Sequence, residues 1–252
     1  MIRIGTRGSA LAMVQAGWVA ARLEGAEIVV IETAGDRQRD RRFDQIGDGR
    51  GVFTGEIERA LLEGRIDVAV HSAKDLTGEP AESLTIAAVP EREDPRDACC
   101  GPYSSLAAIP EGARIGTSSA RRQALLRALR PGLEVVPLRG NVDTRLRKLE
   151  AGEADAIVLA AAGLIRLGLE ARIAFCFDPV EFVPEAGQGA LALQVRRGEE
   201  SLVSSLDHDP SHAQLDAERA RVAELGGGCT VAVAAHAWHA HGQLQLRSWV
   251  AA

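Results

Sequence analysis

The sequence predicts an α/β protein of two similarly built domains followed by a smaller α+β domain. Three observations carry this. Strand-like and helix-like segments alternate along most of the chain, the pattern of parallel sheets with helical crossovers. The alternation restarts after a Pro- and charge-rich stretch at 90–96. After Asp207-His208-Asp209-Pro210 it gives way to one long helical segment and two alternating stretches. The expected domains are 1–91 with 189–207, then 96–184, then 210–252.

Residues 2–5 read as a strand, 10–23 as an amphipathic helix and 27–33 as a second strand. Segment 34–51 is rich in Asp, Arg and Gly with little periodicity, so a mobile loop serving as a lid is expected. A helix at 54–63 and buried-type strands at 66–71 and 84–89 complete the first series. The second runs strand 114–116, helix 119–129, strand 134–138, helix 142–150 and strand 156–160. The third region is a helix at 212–225, the glycines Gly226-Gly227-Gly228, and a hairpin of 229–238 with 243–250.

Bulk composition narrows the function classes. The 252 residues, 46% hydrophobic and 25% charged, are those of a soluble globular protein with room for several cores. A net charge of −6 argues against nucleic acid as partner. No apolar run approaches the ~20 residues of a membrane span, and the N-terminus reads as a strand and not a signal peptide. A cytoplasmic protein without a membrane partner is therefore expected. The cysteines Cys99, Cys100, Cys176 and Cys229 have neither metal-binding nor disulfide-framework spacing, so no metal is expected. The histidines His236, His239 and His241 read as a solvated hairpin.

Candidate ligand-binding residues cluster at the carboxyl ends of strands, where open α/β sheets bind ligands. In Gly116-Thr117-Ser118-Ser119-Ala120-Arg121-Arg122, small hydroxyl residues and paired arginines open a helix, a receptor for an anion. Similar clusters are Thr6-Arg7-Gly8-Ser9 and Arg139-Gly140-Asn141-Val142-Asp143-Thr144-Arg145. His71-Ser72-Ala73-Lys74-Asp75 brings a titratable His, an amine and a carboxylate to one strand end; Lys74 stands out because Lys148 is the only other lysine. Asp75 reads as a catalytic carboxylate or as a helix cap. Arginine stays protonated and cannot act as a base, so chemistry falls to Asp75 and binding to the arginines. Cys229, after its glycines, reads as nucleophile, attachment point or structural cysteine; the other three read as inert small hydrophobes.

Together these motifs resemble the porphobilinogen deaminase family of tetrapyrrole biosynthesis. The matching stretches, in order, are Gly5-Thr6-Arg7-Gly8-Ser9 with Gln15, His71-Ser72-Ala73-Lys74-Asp75, Gly116 through Gln123, and Arg139 through Arg145. Ala162-Gly163-Leu164-x-Arg166-Leu167-Gly168, Pro184-x-x-Gly187-Gln188-Gly189-Ala190, Glu218-Arg219-Ala220 and Gly227-Gly228-Cys229 follow. The resemblance implies two periplasmic-binding-protein-like α/β domains and a third, α+β domain, in a monomeric transferase. Such an enzyme joins four porphobilinogen molecules head to tail into hydroxymethylbilane, releasing ammonia. It implies a dipyrromethane cofactor held by a thioether to Cys229 and contacted by Ser72, Lys74, Thr117, Ser119, Arg121, Arg122, Gln188 and Gly189. Substrate carboxylates fall to Arg7, Ser9, Gln15, Arg139, Arg145 and Arg166, and stabilisation of the cationic intermediate to Asp75.

The chain departs from the family pattern in three places. Gly49-Arg50-Gly51 keeps one basic residue of the lid region, whereas Gly55 replaces the second. Ala120 stands where a leucine is usual. Family members usually continue beyond Ala252 by a strand and a helix, so a shortened third domain with apolar surface exposed around its hairpin is expected. The alternative function is a non-catalytic or weakly active carboxylate-binding paralogue on the same frame; Asp75 and Cys229 favour the enzyme.

Overall fold

The computed structural model describes residues 1–33, 54–76, 78, 81–226 and 232–251. The expected lid at 34–51 and Cys229 lie outside the described residues. The chain divides into two compact units, Met1–Glu93 with Ala190–Ala217 and Asp94–Gly189 with Glu218–Ala252.

In the first unit the strands are β1 (Ile2–Thr6), β2 (Ala26–Val30), β3 (Val68–Ser72) and β4 (Leu84–Ala88), with β10 (Leu191–Arg196) returning from later in the chain. Their order is β2-β1-β3-β10-β4. β1 runs parallel to β2 and β3, whereas β10 is antiparallel to β3 and β4. Helices α1 (Ala10–Ala20) and α2 (Gly55–Leu62) serve separate cores. Ile4, Val68, Val70, Leu193 and Val195 pack with Val19 of α1, and Ile66, Ala69 and Leu84 with Ile57 and Leu61 of α2. Alternate residues of β3 thus point into two apolar layers, which is why it reads as a continuous hydrophobic run.

The second unit repeats the scheme. It contains β5 (Asp97–Cys100), β6 (Arg114–Gly116), β7 (Glu134–Val136), β8 (Ala156–Ala160) and β9 (Phe175–Cys176). Their order is β7-β6-β8-β5-β9, again three parallel strands beside an antiparallel one. Helices α3 (Ala120–Leu129), α4 (Val142–Glu150) and α5 (Ala161–Arg166) follow β6, β7 and β8. Cys99, Ile115, Leu125, Val158 and Phe182 fill one layer, and Cys100, Leu146, Ile157 and Leu164 the other. Burial pushes the Cys99 thiol up to about 12 and that of Cys100 to about 11, in keeping with inert apolar roles.

Helix α6 (Asp209–Glu224) starts earlier than expected because Pro210 sits in its first turn, where a missing N–H costs nothing. The strands β11 (Val233–Ala240) and β12 (Gln243–Val250) form the expected antiparallel hairpin. His241 and Gly242 at its tip have φ of 52° and 74°, the left-handed pair that matches the twist of a two-residue hairpin. One expectation is corrected here. His236 is not solvated: it is 6% exposed, with Nδ1 3.4 Å from Glu218 Oε1 and its ring stacked on Trp238.

Candidate active site

In the first unit, the loop after β1 and the turn after β3 meet over the start of α1. Ser9 caps α1, its hydroxyl accepting from the Ala12 amide at 3.3 Å. Gln15, one helical turn further, is 4% exposed and pairs with Ser72, Nε2 lying 2.9 Å from Oγ. A cavity of about 60 Å³ opens here, lined by Arg7, Ser9, Gln15, His71, Ser72 and Asp75 among others. It has room for a few waters or one small polar group. Five residues expected from sequence thus share one wall, with Asp75 on the short 3₁₀ turn Ala73–Asp75 and Lys74 beside it on the same turn.

His71 is held in one form by its neighbours. The Gln194 amide nitrogen donates to Glu58 Oε1 at 2.9 Å, which leaves Gln194 Oε1, 3.1 Å from His71 Nε2, as an acceptor. His71 therefore carries its proton on Nε2. Burial lowers its pKa to about 4, against the Gln194 hydrogen bond that raises it, so the imidazole is neutral at ordinary pH.

In the second unit, the paired arginines are 4% exposed and grip a carboxylate the sequence reading missed. Arg121 Nη1 and Nη2 donate to Asp97 Oδ2 and Oδ1 at 2.7 and 3.0 Å, and Arg122 Nε donates to Oδ1 at 2.7 Å. Burial alone would raise the pKa of Asp97, but the charges of Arg121 and Arg122 bring it down to about 2. Arg121 also donates to the Val183 carbonyl at 2.9 Å. Arg122 donates to the Val158 carbonyl at 3.0 Å and to Gln188 Oε1 at 3.3 Å. Gln188 in turn donates to the Pro95 carbonyl, and Arg166 Nη2 to the Gly189 carbonyl at 2.7 Å.

The hydroxyls around the pair act locally: Ser119 Oγ accepts from the Arg122 amide at 3.4 Å, and Thr117 Oγ1 from the Ser119 amide at 3.3 Å. The sequence signal for Asp97 is a carboxylate heading the apolar run Asp97-Ala98-Cys99-Cys100, a position that demands a cationic partner.

A second group of positive charges forms around Arg145. Its Nε donates to the Gly140 carbonyl at 2.7 Å; a Cβ on Gly140 (φ 117°) would meet the Thr144 side chain at 2.7 Å, so only glycine fits. Burial first, and then the charges of Arg122 and Arg139, lower the Arg145 pKa to about 10. The guanidinium remains charged at neutral pH, within a locus that favours an incoming anion.

The family model described as porphobilinogen deaminase, dipyromethane cofactor binding domain matches residues 2–204. The chain belongs to the porphobilinogen deaminase family. The porphobilinogen deaminase of Syntrophus aciditrophicus is 47% identical over 99% of this chain and 84% of its own length. That of Roseiflexus sp. is 49% identical over 99% and 85%, and that of Deinococcus radiodurans 48% identical over 100% and 85%. Among solved structures, a putative methionine-binding lipoprotein from Bacillus subtilis is similar at a TM-score of 0.49 and 15% identity, over 81% of this chain and 86% of that one. The two α/β sheets of matching strand order are the pair of similarly built α/β domains that the sequence led one to expect. No described helix is long and apolar enough to cross a membrane, and no metal-binding cluster occurs among the described residues.

Proposed function

We propose that the chain is an enzyme, a transferase that condenses four porphobilinogen molecules head to tail into hydroxymethylbilane and releases ammonia, acting as a cytoplasmic monomer. The observation that carries this reading is the crowding of Arg122, Arg139 and Arg145, with Arg145 depressed by burial and by like charge. Each pyrrole unit brings an acetate and a propionate, so the growing chain is a polyanion, the occupant such a locus favours.

The same observation is the fit test for the cofactor, since a dipyrromethane carries carboxylates that these arginines suit. Cys229, which lies outside the described residues, would hold it through a thioether, and when bound the group would supply the pyrrole carbon to which the first substrate unit is added. Ser72, Lys74, Thr117, Ser119, Arg122, Gln188 and Gly189 would hold it, with Arg121 fixing its neighbour through Asp97. Arg7, Ser9, Gln15, Arg139, Arg145 and Arg166 bind substrate carboxylates and orient the ring. Asp75 accepts hydrogen bonds from pyrrole N–H groups and stabilises the positive charge left on the substrate as ammonia departs. His71, being neutral, adds no competing cation to that wall.

Intact mass tests the assignment. The purified protein should exceed its sequence mass by a dipyrromethane, and Cys229→Ala should not. An unmodified wild-type mass, unchanged after incubation with porphobilinogen, would overturn it.

A further inference from the structure

Glu218 is a fully buried carboxylate that the reaction chemistry does not use. Its Oε2 accepts from the Gly187 amide at 2.7 Å and its Oε1 from the Ala237 amide at 2.7 Å. A buried carboxylate is expensive unless its oxygens are hydrogen-bonded, so both contacts are strongly held. Gly187 belongs to a loop that contributes three acceptors to site arginines: the Val183 carbonyl to Arg121, Gln188 Oε1 to Arg122 and the Gly189 carbonyl to Arg166. Gly187 and Gly189 both adopt left-handed φ, 73° and 87°, so no regular ladder holds this loop and an outside clamp matters. Ala237 lies in β11, the first strand of the hairpin that follows the Cys229 segment.

We propose that Glu218 is a positioning residue: one carboxylate sets the loop that aims the carboxylate-binding arginines Arg122 and Arg166 and ties it to the strand following the cofactor cysteine. This rests on the carboxylate-binding role proposed above for Arg122 and Arg166. A small shift of the loop would turn guanidinium planes away from substrate carboxylates while leaving Asp75 untouched.

The test uses cofactor-loaded enzyme, with loading checked by intact mass. Glu218→Gln keeps the shape but only one acceptor oxygen; Glu218→Asp keeps the charge but is one methylene short, and carries the test if the first variant does not fold. Both should raise KM for porphobilinogen about tenfold with kcat within about threefold. Combining Glu218→Gln with Gln188→Leu should raise KM little beyond the larger single effect, because both act through the same loop.

Glu218→Gln should speed hydrogen exchange at both the Gly187 and the Ala237 amides relative to the unmutated holoenzyme, since the pair loses its shared charged acceptor. KM within twofold of wild type in the folded variants, multiplying KM effects, or exchange left unchanged at both amides would each overturn the proposal. Arg166→Leu separates the two readings. If it leaves KM unchanged, the arginine assignment fails; if it raises KM while the Glu218 variants do not, only the positioning role fails.

Discussion

The two α/β units share a strand order and differ in charge balance. In the first, the strand-end cavity holds one carboxylate, Asp75, beside a histidine that burial keeps neutral. In the second, Asp97 offsets one of the two positive charges of Arg121 and Arg122, and Arg122 joins Arg139 in crowding Arg145 with positive charge. One frame thus occurs twice, once with a carboxylate at its strand-end cavity and once with a cluster of cations. The difference teaches that sheet topology fixes where ligands approach, while the residues at strand ends decide what is done to them.

The strongest way to break this division is Asp75→Ala. It should lower turnover by about 10²–10⁴-fold while the cofactor adduct, read by intact mass, persists. Because Asp75 is half-buried on a short turn, stability should change little. Near-normal product formation would move the chemistry elsewhere.

The mirror experiment is Asp97→Ala in the second unit. It leaves two buried guanidinium groups without their carboxylate and should destabilise the protein by about 3–5 kcal/mol in denaturant unfolding. A loss below about 1 kcal/mol would mean that the arginines relax to water or to other acceptors. Acid acts on the same group. The folded pKa of Asp97 is depressed, so its contribution is present above the unfolded carboxylate range and fades as pH falls from about 4 towards about 2.

His71 gives the first unit its own pH signature. Its folded pKa, about 4, lies below the ordinary 6.5, so between these values the unfolded state binds the extra proton. Stability should therefore fall by about 3 kcal/mol as pH drops from 6.5 to 4. His71→Gln should flatten that slope, and an unchanged slope in the variant would assign it to other groups.

Much of this was legible in the chain. The parallel strands at 2–5, 114–116 and 156–160 and the helices at 54–63 and 142–150 fall within a residue or two of their observed bounds, because apolar periodicity is a local signal. The antiparallel strands β5 and β10 were not expected as strands. Asp97-Ala98-Cys99-Cys100 is too short for a period, and β10 pairs with β3 and β4 across more than a hundred residues. The site divides the same way. Arg7, Gln15, Ser72 and Asp75 were readable as strand-end residues, whereas the grip of Asp97 on Arg121 and Arg122 depends on a pairing 24 and 25 residues apart that no local rule reveals.

The subtlest test concerns what the second unit gives up to stay cationic. Arg145 sits near Arg122 and Arg139 with its pKa lowered to about 10, so in the absence of a carboxylate ligand its charge is unfavourable where it stands. Replacing it with Gln should relieve that repulsion and stabilise the ligand-free protein by up to about 1 kcal/mol, a modest figure because Arg145 is only half-buried and water screens part of the effect. The same change should raise KM about tenfold, as one bidentate carboxylate contact is lost. Opposite signs for stability and binding are the mark of a site built to be completed by an anion. If Arg145→Gln lowers stability instead, the hydrogen bond to the Gly140 carbonyl outweighs the repulsion. Arg145 would then belong with Arg121 as an anchor of the fold.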